Sequence, residues 1–125
     1  MQKFKILLRV IGIVQLVLGV AFLLAPAYLL MWMGLSATPA DGNYMLGMLS
    51  ARFIAYGIGM FYIAQAPEKN LFWINNMILI QVVDLAVGLF YTVNSTISLS
   101  VSAFPLFNAT LFIILLFLWR PRETA

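Results

Sequence analysis

Four stretches of this chain each run for about twenty residues with almost no charge, and that spacing leaves few folds open. A hydrocarbon core ~30 Å thick is crossed by about 20 helical residues. The first stretch covers about 4–24, broken after Lys5 at its start only by Arg9 and Gln15. The second, about 44–65, contains Arg52; the third, about 71–93, carries Gln81 and Asp84; the fourth, about 101–119, carries Asn108. Lipid offers backbone N–H and C=O groups no partners, so an open chain must cross it as helix. Turn chemistry separates the stretches at Thr38-Pro39-Ala40-Asp41-Gly42-Asn43, at Ala66-Pro67-Glu68-Lys69-Asn70 and at Asn94-Ser95-Thr96. Connections this short make neighbouring helices antiparallel. The expectation is therefore all-α: one integral membrane domain over 1–125, built as an antiparallel four-helix bundle. Composition agrees. Hydrophobic residues are 64% and charged residues 9% of the 125, against roughly 45–50% and about 25% in soluble domains, and a small soluble domain could not hide so much apolar surface.

The N-terminus admits a second reading. Lys3 and Lys5 before an apolar run, then Ala25-Pro26-Ala27, look like a signal peptide with a small-residue cleavage site. Arg9 within the run, Pro26 inside the would-be site and apolar sequence continuing to Met33 favour a retained helix. Pro26 then ends the first span. The uncharged 27–33 segment, with Tyr28 and Trp32, is expected to lie as a short interfacial helix stopped by Gly34.

Basic residues set the expected orientation. Lys3, Lys5, Arg9, Lys69, Arg120 and Arg122 all fall on one side of a four-span topology, and the other two connections hold no Lys or Arg. Both termini and the middle connection are expected in the cytoplasm. Tyr28, Trp32, Tyr44 and Tyr91 would form one aromatic belt, and Phe72, Trp73 and Trp119 the other. A weak internal repeat aligns Gln15-Leu-Val-Leu-Gly19 with Asp84-Leu-Ala-Val-Gly88. It fits a duplicated hairpin, and equally the high frequency of Leu, Val and Gly in membrane helices.

The chain has no Cys and no His. That excludes disulfides, thiolate or imidazole metal sites, His-ligated haem and His-based nucleophile activation. Seven basic against four acidic residues, net +3, are too few and too scattered for nucleic acid. No cofactor is implied.

Arg52 and Asp84 stand out because an ionised side chain at the centre of a span costs about 2.5–3.5 kcal/mol on insertion scales. They are equally spaced about Glu68, the middle of the hairpin between the second and third spans. Equal offsets in an antiparallel hairpin mean equal depth, so an intramembrane ion pair is expected. Gln15, Tyr56, Gln81 and Asn108 fall near the same level and complete a polar layer. Such a layer can fix helix register, or it can hold a ligand, ion or proton. In the second span Gly47, Ala51, Ala55 and Gly59 recur every four residues. This small-residue seam lets another backbone approach, whether the first helix through Gly12 and Gly19, another copy or another subunit.

Ten Phe, five Tyr, three Trp and seven Met could line a site for a lipid tail or a quinone, although ordinary packing uses the same residues. Asn94-Ser95-Thr96 is a glycosylation acceptor only in a eukaryotic secretory setting. No catalytic constellation emerges beyond Asp84 with Arg52 and Tyr56, so no enzyme is expected.

The runs Leu24-Ala25-Pro26, Trp32-Met33-Gly34-Leu35, Ala51-Arg52-Phe53, Tyr56-Gly57 and Phe61-Tyr62-Ile63-Ala64 resemble small bacterial inner-membrane proteins of four helices, loosely DoxX-like. The resemblance covers most of the chain through short apolar motifs. It implies a four-helix bundle in a bacterial inner membrane and no particular activity; some such proteins are accessory subunits of quinone-linked oxidoreductases. Two functions compete. One is a non-catalytic accessory or structural subunit of a larger membrane complex, with a protein partner or a second copy. The other is a small carrier or binding protein for a hydrophobic or ionic ligand, using the polar layer.

Overall fold

The computed structural model describes residues 1–122, and every regular element in it is helical. In order these are α1 (Gln2–Leu24), α2 (Pro26–Trp32), α3 (Gly42–Ile63), a 3-10 turn (Pro67–Lys69), α4 (Leu71–Val93) and α5 (Leu99–Trp119). α1, α3, α4 and α5 are each long and apolar enough to cross a membrane. Their outer faces carry large apolar side chains in the open, such as Val17 at 62%, Ile58 at 60% and Phe107 at 63% exposure. Water would not tolerate that surface; lipid matches it.

Local chemistry explains the boundaries. Pro26 opens α2, where its missing N–H is not needed. Gly34 closes α2 with φ 87°: its N–H donates to the Met31 carbonyl at 3.0 Å and the Leu35 N–H to the Leu30 carbonyl at 2.8 Å. That pair of bonds needs a left-handed residue, which glycine supplies without strain. α3 starts two residues before the expected Tyr44, because the Gly42 N–H already bonds the Pro39 carbonyl at 2.8 Å. It stops at Ile63 rather than 65. Ala66, just before Pro67, has φ −148° and ψ 73°, outside the helical region that a following proline disfavours. α5 starts at Leu99 rather than 101, because Ser98 is extended and its carbonyl accepts from the Val101 and Ser102 N–H groups at 3.1 Å.

The chain divides into two compact units, residues 8–62 and residues 1–7 with 63 onward. In the first, α1 and α3 run antiparallel and approach through glycines. A Cβ on Gly57 would stand 2.6 Å from Leu16 Cγ and 2.9 Å from the Gly12 carbonyl oxygen; one on Gly12 would meet Phe61 and the Gly57 carbonyl at 2.9–3.0 Å. One end of the contact is marked by Gly19 against Phe53 and Ile54 and by Phe22 stacked on Phe53, with ring centres 6.1 Å apart. The face of α3 turned to α1 is thus Phe53, Ile54, Gly57 and Phe61, with buried Ser50 a turn before them.

In the second unit α4 packs on α5. Thr92 and Ser102 are hydrogen-bonded at 2.8 Å, Gly88 closes on Leu106, and Arg120 Nη1 donates to Asn75 Oδ1. These pairs step in opposite directions along the two helices, so α4 and α5 are antiparallel. Pro105 sits inside α5; with no N–H it leaves the carbonyl one turn back without its helical partner, a defect that membrane helices accommodate. The start of α1 belongs to this unit, with Lys3 Nζ 4.2 Å from the centre of the Trp119 ring. Lys3, Lys69 and Arg120 therefore share one end of the unit.

Candidate functional site

The polar residues predicted to form a layer are best placed unit by unit. In residues 8–62, Gln15 is buried on α1 and Tyr56 is half-buried on α3. The Gly57–Leu16 contact puts Tyr56 at the level of Gln15. Arg52 is exposed, and its Nη1 donates to the carbonyl of Met48, one turn back on its own helix, at 2.8 Å. That bond satisfies part of the guanidinium and leaves further N–H donors in hand. Its level is set by Phe53 and Ile54 against Gly19, which places Arg52 about five residues, roughly 8 Å, from the level of Gln15 along the axis. Within this unit the layer is therefore split: Gln15 with Tyr56, and Arg52 a turn or more away.

In the other unit Gln81 is buried on α4, Asp84 is exposed on the same helix, and Asn108 is half-buried on α5. The Gly88–Leu106 and Thr92–Ser102 pairs fix the register, so Asp84 and Asn108 lie within about 3 Å of the same depth at 1.5 Å per residue. Gln81 Nε2 points at Met77 Sδ, 3.6 Å away, a weak acceptor for a buried amide. Among the described residues, Asp84 accepts no hydrogen bond from its own unit.

Of the partners open to the small-residue seam, α1 is not the one it faces. A Cβ added to Gly47 or Gly59 would meet nothing within 4 Å, and Ala51 and Ala55 are exposed. The backbone of α3 approaches α1 at Gly57 instead. The physical reason is angular: residues 57 and 59 are about 200° apart around a helix of 3.6 residues per turn, so a face that includes Gly59 looks away from α1.

Three buried or bonded hydroxyls escaped the sequence reading. Ser50 donates to the Gly47 carbonyl at 2.6 Å, and Thr92 bonds both the Gly88 carbonyl at 2.7 Å and the Ser102 hydroxyl. Their partners are backbone groups one turn back or a side chain on the next helix. For Ser50 and Thr92 the sequence signal was a Ser or Thr three or four residues after a glycine, which is too common in membrane helices to single out; Ser102 follows no glycine at that spacing.

Among the described residues no group of three or more His, Cys, Asp or Glu could hold a metal ion. The class the fold defines is an all-helical integral membrane protein with four apolar helices of spanning length. No protein-family model, curated protein or solved structure matches the chain.

Proposed function

We propose that this protein is a non-catalytic accessory or structural subunit of a larger membrane complex, docking through the outward stripe of α3. The observation that carries the reading is the stripe itself. Gly47, Ala51, Ala55 and Gly59 present a smooth backbone face with open space over both glycines. In lipid, helices associate through close van der Waals packing, which small residues at every fourth position permit. A face of large side chains would suit lipid equally well, so smallness repeated over three turns serves a helix partner. The resemblance to small four-helix proteins of the bacterial inner membrane supports that setting. The clustering of Lys3, Lys69 and Arg120 at one end of their unit supports cytoplasmic termini.

The test is association. Extracted in mild detergent, the protein is expected to migrate with a partner at fixed stoichiometry. Ala51→Leu with Ala55→Leu should release it as a folded, lone chain. A chain that stays alone in native membranes, with no crosslink from a cysteine placed at position 55, would overturn the reading. A carrier for a hydrophobic or ionic ligand is the second reading, favoured by Gln15 and Gln81, amide side chains buried on α1 and α4, with Gln81 Nε2 facing the weak acceptor Met77 Sδ. A ligand that co-purifies and is lost on Gln81→Leu, with association intact, would select it.

A further inference from the structure

The end of α4 and α5 holds an open cleft of about 510 Å³, within the size range of small-molecule sites. Its polar lining is Asn75, Arg120 and Arg122, and its apolar lining is chiefly Leu71, Phe117 and Leu118. Arg120 is held in place twice: Nη1 donates to Asn75 Oδ1, and the guanidinium carbon lies 4.6 Å from the centre of the Phe117 ring. A guanidinium has five N–H donors, so the bond to Asn75 orients the fork and leaves other donors for an anion. Arg122 is exposed beside it. Among the described residues no Asp or Glu lines the cleft.

We propose that this cleft binds the phosphate of an anionic glycerophospholipid, with an acyl chain laid along Phe117 and Leu118. Two arginines favour a phosphodiester, which Arg can grip through two parallel N–H···O bonds. Arg120 and Arg122 give the described lining two positive charges, which favours a headgroup of net negative charge over a zwitterionic one. The apolar half of the lining selects a lipid over free phosphate. Phe117 and Leu118 are 57% and 67% exposed on the outer face of a spanning helix, where a chain attached to that phosphate would run. The site lies at the mouth of the spans, where basic pockets between membrane helices meet headgroups.

The experiment is native mass spectrometry of the full chain in nonionic detergent, titrated with phosphatidylglycerol or with phosphatidylcholine of the same acyl chains. One phosphatidylglycerol is expected to bind in preference to phosphatidylcholine. Arg120→Gln with Arg122→Gln should weaken it about ten- to thirtyfold, to the phosphatidylcholine level. Lys5→Gln with Arg9→Gln removes the same charge outside the cleft and should leave the preference intact. Because Arg120 also bonds Asn75, Arg122→Gln alone is the companion variant; it lies beyond the end of α5 and should still lower the preference severalfold. Equal binding of the two lipids would overturn the site, as would equal losses in both double variants. Displacement by millimolar inorganic phosphate would overturn the lipid assignment.

Discussion

Gly57 and Gly59 are two residues apart on one helix, yet alanine at each is expected to act in opposite directions. At Gly57 the new Cβ would stand 2.6 Å from Leu16 Cγ and 2.9 Å from the Gly12 carbonyl oxygen. The Leu16 side chain can rotate away, but the carbonyl is backbone. Carbon–oxygen contacts normally fall at about 3.3–3.6 Å, so α1 and α3 must part by several tenths of an ångström along their closest line. Overpacking of this kind costs about 1–3 kcal/mol, offset by about 0.8–1 kcal/mol from alanine's better helix propensity. With backbone as the obstacle the net loss should be about 1–2 kcal/mol, a factor of 5–30 in the folding equilibrium. At Gly59 the Cβ meets nothing within 4 Å, so only the propensity gain remains and stability should hold or rise by up to about 1 kcal/mol. Reversible unfolding of the isolated chain in mixed micelles, followed by helical circular dichroism, measures both. Equal stabilities, or Gly59→Ala as the more damaging change, would refute the assignment of the α1–α3 contact to Gly57.

Removing the Ser102 hydroxyl by Ser102→Ala should cost only about 0.6 kcal/mol, the average for an intramembrane polar contact, since Thr92 keeps its bond to the Gly88 carbonyl; a loss above ~2 kcal/mol in the same unfolding assay would mean the pair does more. Arg52 and Asp84, equally spaced about Glu68 in the sequence, should couple: Arg52→Ala and Asp84→Ala should each lower stability, and the double variant should lose less than the sum, because neither change then strands a charge. Strict additivity would rule the pair out. A cysteine replacing Asp41 in this Cys-free chain should react with an impermeant thiol reagent only from outside the cell, and one replacing Lys69 only from the cytoplasm; the reverse pattern would invert the topology.

What could be read from the chain alone is what lipid dictates locally. A spanning helix satisfies its backbone within itself, so about twenty apolar residues between turn-formers suffice to place α1, α3, α4 and α5, and Gly34 suffices to stop α2. Boundaries moved by two residues where a carbonyl was available to start a helix earlier, as Ser98 does for α5. Polar residues could be given a depth from their position in a span, and that holds for Asp84 with Asn108, since the α4–α5 register follows from a short hairpin. Arg52 and Gln15 fell out of level because α1 and α3 are joined through α2 and a longer connection, which leaves their register to packing.

The choice among glycines belonged to the tertiary structure. Gly47, Gly57 and Gly59 have the same intrinsic properties, and a regular four-residue spacing shows only that a face is smooth. Which face meets α1 depends on what α1 offers in return. Gly12 lets the two backbones touch, while Leu16 and Phe61 fill the space on either side, and that fit exists only once both helices are in place. The same holds for the arginine at the end of α5. In sequence Arg120 is one more positive charge near a membrane surface; beside Asn75, forty-five residues away along the chain, and over Phe117 it becomes an oriented donor.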